Sequence, residues 1–176
     1  MSEGLQVVAT SRRYRILMKI LFYSIPVLYG GVWFFADLYP EHLAGYSFEI
    51  VGGVTPLMKF LAFCVSMIKG GVVMWGISVL AELFGLYEKK IFFSAESVAC
   101  FRKLSRILLW WVAAGIIVTP LTTVILTMNN PPGDHHLQIS FQSADLTALI
   151  FGGVLGIIAE VMEDGRRLQE EIEFTV

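Results

Sequence analysis

The chain has 176 residues, of which 56% are hydrophobic and 16% charged, and its mean hydropathy is +0.68. Soluble domains contain about 45–50% apolar and about 25% charged residues, so this composition predicts an integral membrane protein and excludes a separate soluble catalytic domain of ordinary size. The net charge of −2 provides no basic footprint, which excludes direct nucleic-acid binding by bulk charge.

Long apolar runs predict four transmembrane helices, since each span needs about 20 apolar residues. The first run could be a signal peptide, because basic residues precede it, but its bulky aromatic residues favour an uncleaved helix. The second run is long, and an exit near Leu86 would place Lys69 close to the opposite interface. The predicted fold is an all-α membrane bundle with spans at about residues 20–36, 66–87, 107–128 and 146–162.

Two spans carry features that predict how they pack. Pro120 should kink the third span, and the neighbouring residues Thr119, Thr122 and Thr123 can bond to the carbonyl groups that it frees. The fourth span contains Gly152 and Gly156 at GxxxG spacing, which predicts a close approach to another helix.

The distribution of Lys and Arg predicts the orientation. Eleven of the 13 basic residues flank the spans on one side, and the outer loop at 129–145 has none, whereas Lys59 falls in or near the other outer loop, at 37–58. By the positive-inside rule, both termini and the central loop are cytoplasmic.

The outer loops contain two segments in which apolar and polar residues alternate, 46–50 and 137–142. Period-two alternation predicts short strands, which would pair as a small cap, and an irregular amphipathic loop is the alternative. A metal ion shared by His42, His135 and His136 is conceivable, but solvated loop histidines are the default, so no metal site is predicted.

No motif of a phosphate-binding loop, a zinc protease or a nucleophile elbow occurs. We therefore predict no catalytic residue, no cofactor and no enzymatic activity. Glu82 and Glu160 lie near the cytoplasmic ends of spans, where pairing with Arg106, Arg166 or Arg167 is favoured over a proton-transfer role.

The cytoplasmic side carries the most organised pattern. Ser94 is a good helix N-cap, and the segment 91–106 is predicted to form a short amphipathic helix on the inner membrane surface. The tail at 163–176 is acidic and the central loop is basic. The two are therefore expected to attract each other, or one of them is expected to be replaced in this contact by a partner.

These two segments resemble domain-of-unknown-function family 2975, which consists of small bacterial membrane proteins with four helices. The motifs are Phe93-Ser94-x-x-Ser97-Val98-x-x-Phe101-Arg102-x-Leu104 and Gly165-x-x-Leu168-Gln169-x-Glu171-x-Glu173-Phe174-Thr175-Val176. The chain departs from the family at Lys90, where glycine is usual, and at Ile172, where asparagine is favoured. The resemblance implies a bacterial inner-membrane protein. It also implies a partner, because members of the family are often encoded beside a helix-turn-helix regulator of the Cro/CI type.

The predicted helices contact membrane lipid. Two functions are predicted for this protein. The first is signalling to such a regulator, with partner contacts at Arg102, Lys103, Arg166, Arg167, Leu168, Glu170, Glu171 and Glu173. The alternative is a small carrier or an accessory subunit of a membrane assembly, which would use Lys69, Glu82 and the Pro120 region. A carrier of this size would need to form a homo-oligomer.

Overall fold

A computed structural model describes residues 2–38, 53–91, 94–131 and 137–173, without the side chains of residues 2–9, 37 and 169–173. Four helices are long and apolar enough to cross a membrane, which confirms the predicted all-α membrane fold. No strand occurs in the described residues. The helices are α1 (Ser2–Phe34), α2 (Pro56–Glu88), α3 (Ala95–Thr127) and α4 (Ser143–Glu173), and a short 3₁₀ helix (Ala36–Leu38) follows α1.

Helix α2 has a capping group at each end. At its start, Thr55 Oγ1 accepts a hydrogen bond from Met58 N, and Pro56 occupies the first turn, where its missing N–H costs nothing. At its end, Lys90 has a φ of 62° and Ile91 N donates to Leu86 O. This is a Schellman motif, in which the left-handed residue is usually glycine.

Helix α3 begins as the sequence predicts, because Ser94 Oγ accepts a hydrogen bond from Ser97 N. It then continues without interruption from Ala95 to Thr127. Residues 95–106 of the predicted amphipathic segment 91–106 form the first three turns of this long helix, and residues 92 and 93 lie outside the described part of the chain. The hydroxyl groups of Thr122 and Thr123 donate to the carbonyl oxygens of Val118 and Pro120, and not to that of Ile116, which Pro120 leaves without its N–H donor.

Extensive helix contacts within the described residues run only between consecutive helices, so the four form an open row. In the last pair, Ser105 Oγ of α3 donates to Gly152 O of α4 at 2.8 Å, and a Cβ on Gly156 would lie 3.4 Å from the same hydroxyl. The close approach predicted from Gly152 and Gly156 is therefore confirmed, and the neighbouring helix is α3.

In the part of the chain that the structure describes, three ion pairs join the helices at one end of the row, which we call the charged end. They connect α1 to α2, α2 to α3 and α3 to α4, so the start of α1 and the end of α4 lie at the same end of the protein. The pairs are Arg15–Glu88, Lys103–Glu82 and Arg102–Glu160, at 3.0, 3.5 and 3.3 Å.

Among the described residues, two apolar clusters form the core. One lies towards the charged end and contains Leu83, Cys100 and Ile107, and the other lies towards the opposite end around Trp33, Ala62 and Leu126. Helix α2 contributes to both clusters, and Lys69 lies between them along this helix. We call the layer of the protein around Lys69, between the two apolar clusters, the polar level.

The predicted outer cap was to be built from two segments. Residues 46–50 lie outside the described part of the chain, as do His42, His135 and His136. Residues 137–142 are described, and they form no regular structure. This segment contacts α3, since Gln138 N donates a hydrogen bond to Thr123 Oγ1 at 3.4 Å. It leads directly into α4.

Candidate functional site

A lysine and an aspartate meet between the two apolar clusters. Lys69 Nζ of α2 lies 3.9 Å from Asp145 Oδ1 of α4, and the aspartate side chain is only 7% exposed. The ammonium group also lies 4.2 Å from the ring centroid of Trp111, a favourable cation–π distance. A Cβ at Gly115 would come within 3.2 Å of Lys69 Nζ, so the absence of a side chain there lets the amine lie against α3.

This pair lies deep within the apolar part of the helices. Along α2, Lys69 follows Lys59 by ten residues and precedes Glu82 by thirteen, which correspond to about 15 Å and about 20 Å of helix. On α3, the contact residue Gly115 lies about 4 Å from the middle of the uncharged run 107–128. The pair is therefore far from both ends of α2 and α3, and it lies at the first turn of α4.

Asp145 has a structural role as well as a charge. It occupies the first turn of α4, and its Oδ2 accepts a hydrogen bond from Gln142 N at 2.9 Å. An acidic side chain at this position stabilises the positive end of a helix. Its Oδ1 is buried and has no hydrogen-bond partner in the described part of the chain. At 3.9 Å, Lys69 attracts this oxygen but does not hydrogen-bond to it.

A cavity of about 330 Å³ opens beside the pair, between α1, α2 and α3. Lys69 and Gln142 line it at the level of the pair, and Tyr29 and Thr119 are further polar residues of the lining. Much of the remaining wall is apolar, from residues such as Leu28 and Val118. An apolar pocket with a few converging polar groups is the usual form of a small-molecule site.

The residues predicted to contact a partner lie at the charged end. Arg102 pairs with Glu160, and Lys103 pairs with Glu82. The structure thus shows the expected pairing of the two glutamates, but with Arg102 and Lys103 rather than with the arginines that the sequence suggested. Arg166 and Arg167 both pair with Glu163 of their own helix, at 2.8 and 3.4 Å.

The remaining predicted contacts belong to the last turns of α4. Leu168 is exposed, and the helical backbone continues through Glu170, Glu171 and Glu173. Because Arg102 contacts Glu160, the start of α3 at Ala95 lies level with about residue 167 of α4. The last six residues of α4 therefore extend about 9 Å beyond α3.

The sequence prediction missed the buried pair. It placed Lys69 near the outer interface and left Asp145 just outside the fourth span. One signal could have found the pair, since Lys69 lies in the outer part of the second apolar run and Asp145, of opposite charge, adjoins the outer side of the fourth. An intramembrane charge is expected to have a partner of opposite sign.

Comparison with known proteins gives one match. A family model described as a protein of unknown function (DUF2975) matches residues 71–176, which is more than half of the chain. No curated protein and no solved structure matches.

Proposed function

We propose that this chain, which belongs to the DUF2975 family of proteins of unknown function, is a bacterial inner-membrane protein that signals to a cytoplasmic helix-turn-helix regulator. Its charged end faces the cytoplasm, because eleven of the 13 Lys and Arg residues lie towards that end. The protein acts by binding, without an enzymatic step of its own.

A single observation carries this proposal: α4 is one uninterrupted helix that connects the buried pair to the charged end. It begins two residues before Asp145 and ends at Glu173, a length of 31 residues, or about 46 Å. A change in the Lys69–Asp145 contact would shift the start of this helix. Since a helix moves as a stiff unit, the same shift would reach its other end.

The end of α4 is suited to contact a basic partner. Its last turns contain Glu170, Glu171 and Glu173 and extend beyond α3. Proteins that bind DNA carry basic surfaces, and complementary charge steers such encounters. Exposed Leu168 supplies an apolar contact beside these acids, and the family resemblance supplies the regulator as the class of partner.

Crosslinked capture from native membranes tests this proposal. The full-length chain is compared with a chain that ends at Asp164, and both are checked for equal membrane insertion. We expect the full-length chain to capture a small helix-turn-helix protein, identified by mass spectrometry, and the shortened chain to lose it. A triple variant with Glu170→Gln, Glu171→Gln and Glu173→Gln should weaken capture while leaving the helix in place.

Equal capture of the regulator by the full-length and shortened chains would contradict the proposal that the last turns of α4 bind the regulator. Capture of no DNA-binding protein by the full-length chain would contradict the signalling role itself.

The buried pair also favours a second candidate, a small carrier or an accessory subunit in a homo-oligomer. Ionisable residues inside a membrane commonly mark ion or substrate pathways, and Lys69 and Asp145 meet far from either end of α2 and α3. In proteoliposomes, a proton carrier should lose its flux when Asp145→Asn is introduced. Equal flux through the variant and the unmodified chain would remove this candidate.

A further inference from the structure

We propose that the cavity beside Lys69 binds a small membrane-soluble organic acid, with the carboxyl group of the ligand on the Lys69 ammonium group. This inference is independent of the regulator and goes beyond the proposed signalling function. It rests on four features of the polar level: an under-bonded lysine, a buried unpartnered aspartate oxygen, an irregular segment and a cavity with apolar walls.

The ammonium group has hydrogen-bonding capacity to spare. A lysine has three N–H donors, and Lys69 Nζ has no oxygen within hydrogen-bonding distance in the described part of the chain. Its oppositely charged neighbour, Asp145 Oδ1, lies at 3.9 Å and also lacks a hydrogen-bond partner. An ammonium group that is withdrawn from water without an acceptor is costly, so a ligand with an oxygen acceptor would gain directly from a hydrogen bond with Lys69.

The backbone around the cavity is built as it is in membrane binding sites. Irregular chain at membrane depth is tolerated where it lines a cavity, and interrupted helices often direct their N-termini towards a bound anionic group. Here, Gln142 lines the cavity, belongs to the irregular segment 137–142 and immediately precedes α4. The start of α4 therefore lies at the edge of the cavity.

The rest of the cavity favours a ligand whose remaining part is apolar. Leu28, Val32 and Val118 form apolar walls, and the volume of about 330 Å³ lies at the lower end of the range for small-molecule sites. The ligand is consequently short, with one acidic group and an aliphatic or aromatic remainder. A medium-chain fatty acid has this chemistry.

The aspartate leaves room for a ligand on the ammonium group. Asp145 Oδ1 lies 3.9 Å from Lys69 Nζ and does not hydrogen-bond to it. A ligand carboxyl group in the cavity can therefore approach the ammonium group more closely than the aspartate does, and it competes with the aspartate for that charge.

Octanoic acid labelled with ¹³C at its carboxyl carbon is a direct probe, and 1-octanol is its matched control without the acid group. Binding is measured by NMR titration of the purified full-length chain in lipid nanodiscs. We expect saturable binding of the acid, at least tenfold weaker in Lys69→Met, largely retained in Lys69→Arg, and unchanged in Lys59→Met. In Asp145→Asn, binding should strengthen, since the competing carboxylate has gone.

Three results would overturn the proposal. One is the absence of saturable octanoic acid binding to the unmodified chain. Another is equal binding by Lys69→Met and Lys59→Met in nanodiscs where both fold. The third is binding of 1-octanol as tight as that of octanoic acid, which would identify the cavity as a groove for apolar lipid chains.

Discussion

Lys69 of α2 and Asp145 of α4 form an ion pair across helices that lack extensive contact with each other, beside a largely apolar cavity. Trp111 and Gly115 of the intervening helix α3 make this possible, one by covering the ammonium group and the other by leaving space for it. The pair links α2 and α4, the second and fourth helices of the row, across α3. It is therefore the feature on which both the stability and the proposed signalling depend.

Removing the lysine alone should be costly. Lys69→Met leaves the Asp145 carboxylate buried without its counter-charge, and breaking a buried ion pair in this way costs about 3 kcal/mol. The double variant Lys69→Met with Asp145→Asn should be more stable than Lys69→Met, because it removes the isolated charge and keeps an acceptor for Gln142 N. Reversible unfolding in mixed micelles measures both changes.

Lys103→Met is the control for that series, since it breaks an exposed pair with Glu82 that should contribute less than about 1 kcal/mol. A double variant less stable than Lys69→Met would contradict the account of a buried charge pair.

Two adjacent glycines of α4 should respond differently to a large side chain. A Cβ on Gly152 would lie 3.4 Å from both Leu108 Cβ and Ser105 O, whereas a Cβ on Gly153 would meet nothing within 4 Å. Gly152→Leu should therefore force α3 and α4 apart and reduce stability by about 2 kcal/mol, and Gly153→Leu should change it much less. Unfolding in mixed micelles compares the two, and equal losses would mean that the α3–α4 contact does not set their effect.

Position 90 should be improved by glycine. Lys90 has a φ of 62° at the end of α2, a conformation that costs residues with a Cβ about 1 kcal/mol. Lys90→Gly should raise the free energy of unfolding by about 0.5 kcal/mol, since the greater freedom of glycine in the unfolded chain offsets part of the gain. Lys89→Gly is the control, because Lys89 has a φ of −85° and should lose stability instead. Thermal unfolding of the three chains distinguishes these outcomes.

A buried hydrogen bond holds α1 to α2 far from the charged end. Trp33 Nε1 donates to Ser66 Oγ at 3.0 Å, and both residues are buried. Ser66→Ala should leave the indole N–H without a partner and cost about 1–2 kcal/mol. In Ser78→Ala the lost bond is an exposed one to Trp75 O in the same helix, so the cost should be a few tenths of a kcal/mol. A smaller loss for Ser66→Ala than for Ser78→Ala would contradict this role.

The sequence alone predicts the four helices, because long uncharged runs have few stable conformations in a bilayer. It also predicts local details such as the Ser94 cap and the close approach at Gly152, since these depend on neighbouring residues. It does not predict the buried pair. The pair depends on the position of α4 along the axis of α3. Contacts such as Ser105–Gly152 set that position, and they form only in the folded protein. For the same reason, the sequence did not identify Arg102 as the partner of Glu160.

The orientation of the charged end is the most direct test of the central claim that α4 presents its last turns to a cytoplasmic partner. In a chain with Cys64 and Cys100 replaced, single cysteines are introduced by Leu168→Cys at the charged end and by Met128→Cys at the opposite end of α3; both positions are exposed. Intact cells are then treated with a membrane-impermeant maleimide. We expect Met128→Cys to be labelled from outside, and Leu168→Cys to be labelled only after lysis. Labelling of Leu168→Cys in intact cells would place the end of α4 outside the cell and contradict the account.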